Sequence, residues 1–264
     1  MNAGSGATSP DPRVDAQVVE VHRLRWDTTV IRLISTLPVP FYAGQALEVE
    51  TPHFPGVVRR YYCALPPSLD GKLEFHVRTV PGGLTSETIV NDVRPNEIWR
   101  IGAAGGALHV DSSDRPAVMA AVGIGVAPMR AMLVELAQQG DPPEVFLFYA
   151  DTFHRDLYAL DALFPLQQTF DWLTVIPIVD RAGDPSLPDP YHDRLREALQ
   201  GDPAAAVVLD PAASGVVVGS IERILASYEG FHGEQVMVAG PPERVSTIVR
   251  ALIDSGTPRT AIRT

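Results

Sequence analysis

The spacing of apolar and polar residues changes part-way along the chain. Up to about residue 110, short runs in which apolar and polar residues alternate are separated by turn-forming residues, a pattern typical of β-strands. These runs cover residues 16–24, 28–35, 45–52, 57–65, 72–80 and 97–103. Six short strands with one helical candidate, at residues 85–90, predict a small antiparallel β-barrel, since a closed sheet has no exposed edge.

Beyond the polar stretch at residues 111–116, apolar strand candidates alternate with helical segments, as in a doubly wound α/β domain with a parallel sheet. The strand candidates are residues 118–122, 144–150, 173–179 and 235–240, and the helical candidates are residues 127–139, 154–166, 191–200 and 242–256. Residues 201–219 are predicted as a loop with room for one short strand. We therefore expect a flexible leader at residues 1–13, a barrel domain at residues 14–112 and an α/β domain at residues 113–264.

Composition restricts the classes of function. The chain has 264 residues with 21 Lys and Arg against 32 Asp and Glu, a net charge of −11 that argues against nucleic acid or an anionic membrane as partner. No apolar run reaches the roughly 18 residues of a membrane span, and the first residues do not resemble a signal peptide. The single cysteine, Cys63, excludes an intramolecular disulfide and a cysteine-based metal cluster, which fits a cytoplasmic protein. The scattered histidines predict no metal site.

A glycine-rich turn, GIGVAP at residues 123–128, stands between a predicted strand and a predicted helix. Glycines there let the backbone approach a ligand, and the N-terminus of the following helix favours a phosphate. The segment is not a complete GxGxxG fingerprint, and a purely structural turn remains an alternative.

A second candidate site lies in the barrel region. Arg60 and Tyr62 alternate along one predicted strand and share a face, while Cys63 lies on the other face. The segment GGLTS at residues 82–86 opens the one helical candidate and forms a second phosphate-type site, so the chain is predicted to bind two nucleotides. Cross-strand packing of the tyrosines and an ordinary glycine turn are the alternatives.

The ordered motifs YAGQALEVETP, RRYYCAL, FHVRTVPGGLTSETI, AAVGIGVAPMRAML, FLFYADTFHRDLYALDAL and VMVAGPPERV resemble the ferredoxin reductase superfamily over residues 14–262. They are most similar to the reductase modules of bacterial oxygenases and of actinobacterial flavohaemoglobins. The resemblance implies a barrel that binds FAD, an α/β domain that binds NAD(P)H, and hydride transfer from the nicotinamide to the flavin.

The resemblance also implies site residues. Arg60 is expected on the FAD pyrophosphate, Tyr62 against the isoalloxazine and Cys63 at flavin N5, where the family usually has serine or threonine. His76 and Arg78 share a strand side and either line FAD or form an exposed strand face. The further cofactor residues are Val77, Gly83, Leu84, Thr85 and Ser86 for FAD, and Gly123, Gly125, Val126, Ala127, Pro128, Ala239, Gly240 and Pro241 for the nicotinamide nucleotide.

Several positions depart from the family pattern. Cys63 is a weaker donor than a hydroxyl, and Ala239 replaces a cysteine beside the nicotinamide. Asp151 stands near a position where relatives commonly have arginine, which favours a ribose diol and hence NADH over NADPH, with Arg155 as the residue that could overturn this preference. An N-cap role for Asp151 is an equal alternative. The end of the chain at Thr264 predicts a more open nicotinamide face.

Two functional hypotheses follow. The first is an FAD-dependent oxidoreductase that accepts hydride from NADH and passes electrons singly to a separate protein. The acceptor expected from the resemblance is a haem or iron–sulfur oxygenase component, or a globin. The second is a reductase-fold subunit that binds flavin or nucleotide, transfers hydride poorly and acts as an interaction or regulatory protein.

Overall fold

The computed structural model describes residues 13–181 and 215–264. Its first part is a six-stranded antiparallel sheet with one helix, as expected from the sequence. The elements are β1 (Val14–Arg23), β2 (Thr28–Ser35), β3 (Ala46–Glu50), β4 (Val58–Tyr62), β5 (Lys72–Arg78), α1 (Leu84–Asn91) and β6 (Ile98–Gly105).

The sheet order β4-β3-β6-β1-β2-β5 leaves β4 and β5 as its two edges. The edges meet through an isolated antiparallel bridge between Cys63 and Phe75. Next to this bridge the Ala64 N–H donates to the Glu74 carbonyl at 2.8 Å. We call the line along which these edges meet, residues 60–64 against residues 74–78, the closing seam. It completes the predicted barrel around an apolar core in which Phe75 stacks on Trp99.

The second part is a six-stranded parallel sheet with helices. Its strands are β7 (Ala117–Val122), β8 (Val145–Asp151), β9 (Leu173–Val179), β10 (Val217–Val218), β11 (Gln235–Ala239) and β12 (Ile262–Arg263). Its helices are α2 (Val126–Leu136), α3 (Leu160–Thr169), α4 (Ile221–Ala226) and α5 (Pro242–Asp254). The predicted two-part architecture, antiparallel barrel followed by α/β domain, is confirmed.

The strand order of the second sheet, β10-β9-β8-β7-β11-β12, reverses direction at β7. The chain runs outward from β7 to β10 and then returns to place β11 on the other side of β7. The carboxyl ends of β7 and β11 therefore adjoin, and ligands of open α/β sheets bind at such a switch point.

Some sequence expectations meet the structure only in part. The predicted helix at residues 154–166 is divided into a 3₁₀ turn, His154–Asp156, and α3, which contains Pro165. The predicted leader, residues 1–13, lies outside the described residues except for Arg13, which pairs with Glu50. The predicted helix at residues 191–200 also lies outside them, while the expected short strand near residue 219 is β10.

Residues 106–116 connect the two sheets, since β6 ends at Gly105 and β7 begins at Ala117. Within residues 13–181 and 215–264, we find no helix long and apolar enough to cross a membrane.

Candidate functional site

The outer faces of β4 and β5 carry several polar side chains of the barrel that face the second domain. Along β5, Leu73, Phe75 and Val77 pack into the barrel core, so Glu74, His76 and Arg78 point outward. Along β4, Tyr62 packs against the apolar cluster that Ala43 and Leu108 form with the core of the α/β domain. The outer side of the closing seam is thus the barrel's contribution to the domain interface.

Two residues expected at a cofactor lie on the inner side of this seam. Cys63 is fully buried, at 0% exposure, within the barrel core, and Val77 is also buried there. Burial raises the pKa of the Cys63 thiol. Both side chains point into the barrel core, so the structure does not support a contact of Cys63 with flavin N5 or of the Val77 side chain with a cofactor, and these two assignments stay predictions.

Arg60 lies on the outer face of β4, where its guanidinium donates to Glu48 at 3.1 Å and remains largely exposed. Gly105 lies beside the Arg60 guanidinium, because a Cβ at Gly105 would be 3.4 Å from Arg60 Nη1. A cavity of about 880 Å³ adjoins this region and is lined by residues of β3, β4 and β6, including Glu48 and Val58. Arg60 is therefore accessible to an anionic ligand.

The loop before α1 presents backbone donors. Gly83 is the N-cap residue of α1, and among the described residues no side chain caps this helix. The first-turn N–H groups of α1 are consequently open to an anion. The Glu87 carboxylate would compete with an anionic ligand at this loop, because it accepts the Gly82 N–H at 3.2 Å.

The side chains of this loop contribute less than expected. The Ser86 hydroxyl donates to the Gly83 carbonyl at 2.9 Å and accepts the Val80 N–H at 3.0 Å, so it holds the loop in shape. Thr85 is half-buried, and Leu84 is exposed. Anion binding here would depend mainly on the backbone.

The glycine-rich turn after β7 meets the end of β11 at the sheet's switch point. A Cβ on Gly125 would lie 2.2 Å from the Ala239 carbonyl oxygen, a separation only glycine permits. Gly240 also packs closely on Val122, since a Cβ at Gly240 would lie 3.0 Å from the Val122 Cβ and carbonyl oxygen. The structure thus brings together the two segments expected at the nicotinamide nucleotide.

The side chains after the turn are not available to a ligand. Val126, Ala127 and Pro128 are buried in α2, and Ala239 is buried at the end of β11. Any contact from residues 126–128 to a nucleotide must therefore be made by the backbone. Pro241 is the N-cap residue of α5.

Arg78 of the barrel reaches the glycine-rich turn. Its Nη2 donates to Asp151 Oδ2 at 3.1 Å, and a Cβ on Gly123 would lie 2.9 Å from its Nη1. Burial tends to lower the pKa of Arg78, but the charges of Asp151 and Asp27 outweigh it and raise that pKa. The exposed-face alternative for Arg78 is wrong, since only 23% of its side chain is exposed.

Asp151, expected at a ribose, is also engaged. It ends β8 and is 8% exposed, and its Oδ1 accepts the Thr152 N–H at 2.8 Å while its Oδ2 accepts from Arg78. The N-cap alternative is not observed, since Phe153 is the N-cap residue of the following 3₁₀ turn. In this conformation both Asp151 oxygens are committed to the protein.

A buried carboxylate, Glu74, is the centre of the interface. It accepts hydrogen bonds from Arg32 Nε at 2.7 Å, His76 Nε2 at 3.0 Å and Arg130 Nη1 at 2.8 Å. His76 in turn contacts the Tyr158 hydroxyl through Nδ1 at 2.9 Å. Arg130 and Tyr158 belong to the α/β domain, so Glu74 joins both domains.

The charge state of Glu74 follows from these contacts. Burial alone would raise its pKa, but the hydrogen bond from His76, the charge of Arg130 and the hydrogen bond from Arg32 lower the pKa to about 2. Burial raises the pKa of Tyr158. Glu74 is therefore an anion and Tyr158 a neutral phenol at neutral pH.

Sequence reasoning missed Glu74, Arg130 and Tyr158. The alternation E-F-H-V-R at residues 74–78 contains a usable signal, because it places three ionisable side chains on one strand face. Arg130 and Tyr158 carry no such signal, since their partners are distant in sequence.

Comparison with known proteins places this geometry in context. Residues 15–109 match the family described as the oxidoreductase FAD-binding domain. The chain is 32% identical over 174 residues to the xylene/toluene monooxygenase electron transfer component XylA of Pseudomonas putida, covering 65% of this chain and 49% of XylA. The chain thus spans about half the length of that relative.

Two further similarities extend over nearly the whole chain. The ferredoxin–NAD(P)(+) reductase CarAd of Metapseudomonas resinovorans is 27% identical over 256 residues, which cover 97% of this chain and 69% of CarAd. The crystal structure of the Amycolatopsis cytochrome P450 reductase GcoB has a TM-score of 0.75 at 22% identity, covering 97% of this chain and 69% of that one. The latter similarity concerns the fold alone.

Proposed function

We propose that the protein is an FAD-dependent NAD(P)H oxidoreductase, because residues 15–109 match the oxidoreductase FAD-binding domain family and the chain has a ferredoxin reductase-type fold. It would take two electrons from a reduced nicotinamide nucleotide and pass them to a separate redox partner. Its two sites would lie on opposite sides of the domain interface.

One observation carries this proposal. Hydride transfer requires the nicotinamide and the flavin to be adjacent. Arg78, on the barrel face expected to line FAD, lies against Gly123 of the turn expected to bind the nicotinamide nucleotide. The contact between these two predicted half-sites supports a shared reaction site better than two independent nucleotide sites.

The residues present fit FAD. Arg60 and the uncapped N-terminus of α1 would hold the pyrophosphate, and Tyr62 would lie against the isoalloxazine. Bound FAD would accept a hydride from NAD(P)H and return the two electrons to the acceptor. The protein would bind and orient both groups and exclude water between them.

We further propose that NADH is preferred over NADPH. Asp151 at the end of β8 would disfavour a 2′-phosphate and, once released by Arg78, would accept a ribose hydroxyl. Arg155 does not oppose this assignment, because its guanidinium lies 5.5 Å from the Phe153 ring centroid and 3.8 Å from Asp156.

The acceptor would be a separate protein, namely a haem or iron–sulfur oxygenase component or a globin. The name of one relative supports this class: XylA is the electron transfer component of a xylene/toluene monooxygenase. We also propose a cytoplasmic location, which the single cysteine supports.

FAD binding is tested with a matched pair of arginine variants. Arg60→Met should weaken FAD binding about tenfold or more, because it removes the cation from the pyrophosphate. Arg59→Met removes the same charge from the preceding, exposed residue and should leave FAD affinity within about threefold of wild type. The measurement is quenching of flavin fluorescence during titration, and equal effects of the two variants would contradict the assignment of Arg60.

The alternative function, a subunit with impaired hydride transfer, is less well supported by the structure than by the sequence. Cys63, which motivated it, lies in the barrel core and does not face the interface. Ala239 remains a departure, although its side chain is buried. An FAD-loaded protein that neither NADH nor NADPH reduces would establish this alternative.

A further inference from the structure

The closing seam of the barrel is held by a residue of the other domain. Arg130 Nη1, from α2, donates to the Ala64 carbonyl at 2.8 Å and to Glu74 Oε1 at 2.8 Å. Ala64 follows β4 and Glu74 lies in β5, so one guanidinium group bridges the two strand edges. About a fifth of the Arg130 side chain (21%) is exposed.

Arg130 is rigidly connected to the glycine-rich turn. It lies five residues after Gly125, the N-cap residue of α2, and is therefore little more than one helical turn from the nucleotide loop. Met129, Met132 and Leu133 on either side of it are buried in the α/β core. The helix cannot shift toward or away from the barrel without disturbing that core.

The path from Arg130 to the proposed flavin-binding strand, β4, is also short. Ala64 lies two residues beyond Tyr62 of β4, and the Ala64 N–H donates to the Glu74 carbonyl at 2.8 Å. A displacement of the Arg130 contact would therefore move the outer face of β4, where Arg60 and Tyr62 are proposed to hold FAD.

We infer that Arg130 is a positioning residue that fixes β4, the strand proposed to hold the flavin, at a set distance from the nucleotide loop. This inference rests on the proposed function. Arg130 acts through Ala64 and Glu74, with no contact to either cofactor required. Since a misplacement of about 1 Å can slow a reaction on the order of 100-fold, loss of this contact should affect the hydride-transfer step more than binding.

A matched control separates positioning from charge neutralisation. Arg32 Nε donates to Glu74 Oε2 at 2.7 Å, so Arg32→Met removes a comparable charged hydrogen bond from the same carboxylate. Arg32 belongs to β2 of the barrel, and its guanidinium donates to Glu74 and Glu20, which also belong to the barrel. Its loss should weaken the Glu74 site without changing how the domains are joined.

The experiment compares Arg130→Met, Arg130→Lys and Arg32→Met with wild type, each purified with FAD. At saturating NADH, Arg130→Met should slow flavin reduction about 10- to 100-fold, with KM changed by less than about threefold and with a weaker flavin–nicotinamide charge-transfer band. Arg130→Lys should recover part of the rate. Arg32→Met should stay within about threefold of wild type. Equal slowing by both methionine variants, or an unchanged rate in Arg130→Met, would overturn the inference.

A second measurement does not depend on activity. Amide hydrogen exchange at Ala64 in the FAD-free protein should be about tenfold faster in Arg130→Lys than in Arg32→Met, because only the former weakens the bridge at Ala64. Equal exchange would contradict the inference even if Arg130→Met fails to fold. If neither NADH nor NADPH reduces the wild-type flavin, the proposed function fails, whereas the exchange comparison still tests the Arg130 contact.

Discussion

At the scale of single residues, Glu74 has the largest consequence for stability. Three cationic or hydrogen-bonding partners surround a carboxylate whose side chain is only 4% exposed. Glu74→Gln would leave Arg32 and Arg130 facing a neutral amide, and we expect it to lower the free energy of unfolding by about 3–5 kcal/mol. Urea denaturation at neutral pH measures this loss, and a change below about 1 kcal/mol would contradict the central role of Glu74.

The same residue predicts a pH dependence. The pKa of Glu74 is lowered from 4.5 to about 2 in the folded protein, so the folded state favours the carboxylate. Its contribution to stability is fully present above the unfolded pKa and is lost as the pH falls through about 2. Wild type should therefore lose more stability than Glu74→Gln between about pH 4.5 and 2, as followed by urea titrations across this range. Parallel pH profiles would exclude Glu74 as the source.

Cys63 gives a second prediction at this scale. Cys63→Ser would place a hydroxyl in the apolar barrel core and should lower stability by about 1–3 kcal/mol, with FAD content and flavin reduction unchanged. Cys63→Ala controls for the loss of the sulfur without adding a hydroxyl. The check is urea denaturation together with the rate of flavin reduction. A Cys63→Ser variant that reduces its flavin several-fold faster than wild type would contradict this expectation and support a role of Cys63 at flavin N5.

At the scale of elements, the contact between the turn after β7 and the end of β11 depends on one missing side chain. Gly125 has an ordinary φ of −60°, so Gly125→Ala introduces no backbone strain, and its effect comes from the Cβ, which would lie 2.2 Å from the Ala239 carbonyl oxygen. We expect nicotinamide-nucleotide affinity to fall at least about tenfold while FAD stays bound, because the two loops must separate.

Gly140→Ala is the matched control for this variant. Within 4 Å of a Cβ at Gly140 there is no atom among the described residues, so the substitution should change nucleotide affinity by less than about twofold. Calorimetric titration with NAD⁺ compares the two variants. Equal affinity in Gly125→Ala and wild type would show that the β7–β11 junction is not the nucleotide site.

The elements also show what the sequence could predict. Alternation along residues 72–78 identified β5 and its inner face, since each buried apolar residue has a polar neighbour. The division of the predicted helix at residues 154–166 was not predictable from apolar spacing, because the first turn ends where the backbone of its C-cap residue, Leu157, leaves the helical region (φ −78°, ψ 56°). Cys63 was assigned to a flavin by motif position, whereas the alternation of β4 already placed it opposite Tyr62.

At the scale of the whole molecule, the decisive contacts are those between domains. Arg25 pairs with Asp156, Arg78 with Asp151, His76 with Tyr158 and Arg130 with Glu74, and every pair joins the barrel to the α/β domain. Each pair is separated by more than fifty residues, so periodicity and local motifs cannot predict the partners. The sequence predicts a flavin site and a nicotinamide-nucleotide site separately, whereas the contact between them is visible only in the folded structure.

The most direct test of the central claim is rapid mixing of the FAD-loaded protein with NADH or NADPH in the absence of oxygen, following the loss of flavin absorbance. We expect NADH to bleach the flavin in a single turnover and NADPH to do so at least about tenfold more slowly. Faster bleaching by NADPH would contradict the role given to Asp151. An FAD-loaded protein that neither nucleotide bleaches would contradict the proposal that the two domains form one hydride-transfer site.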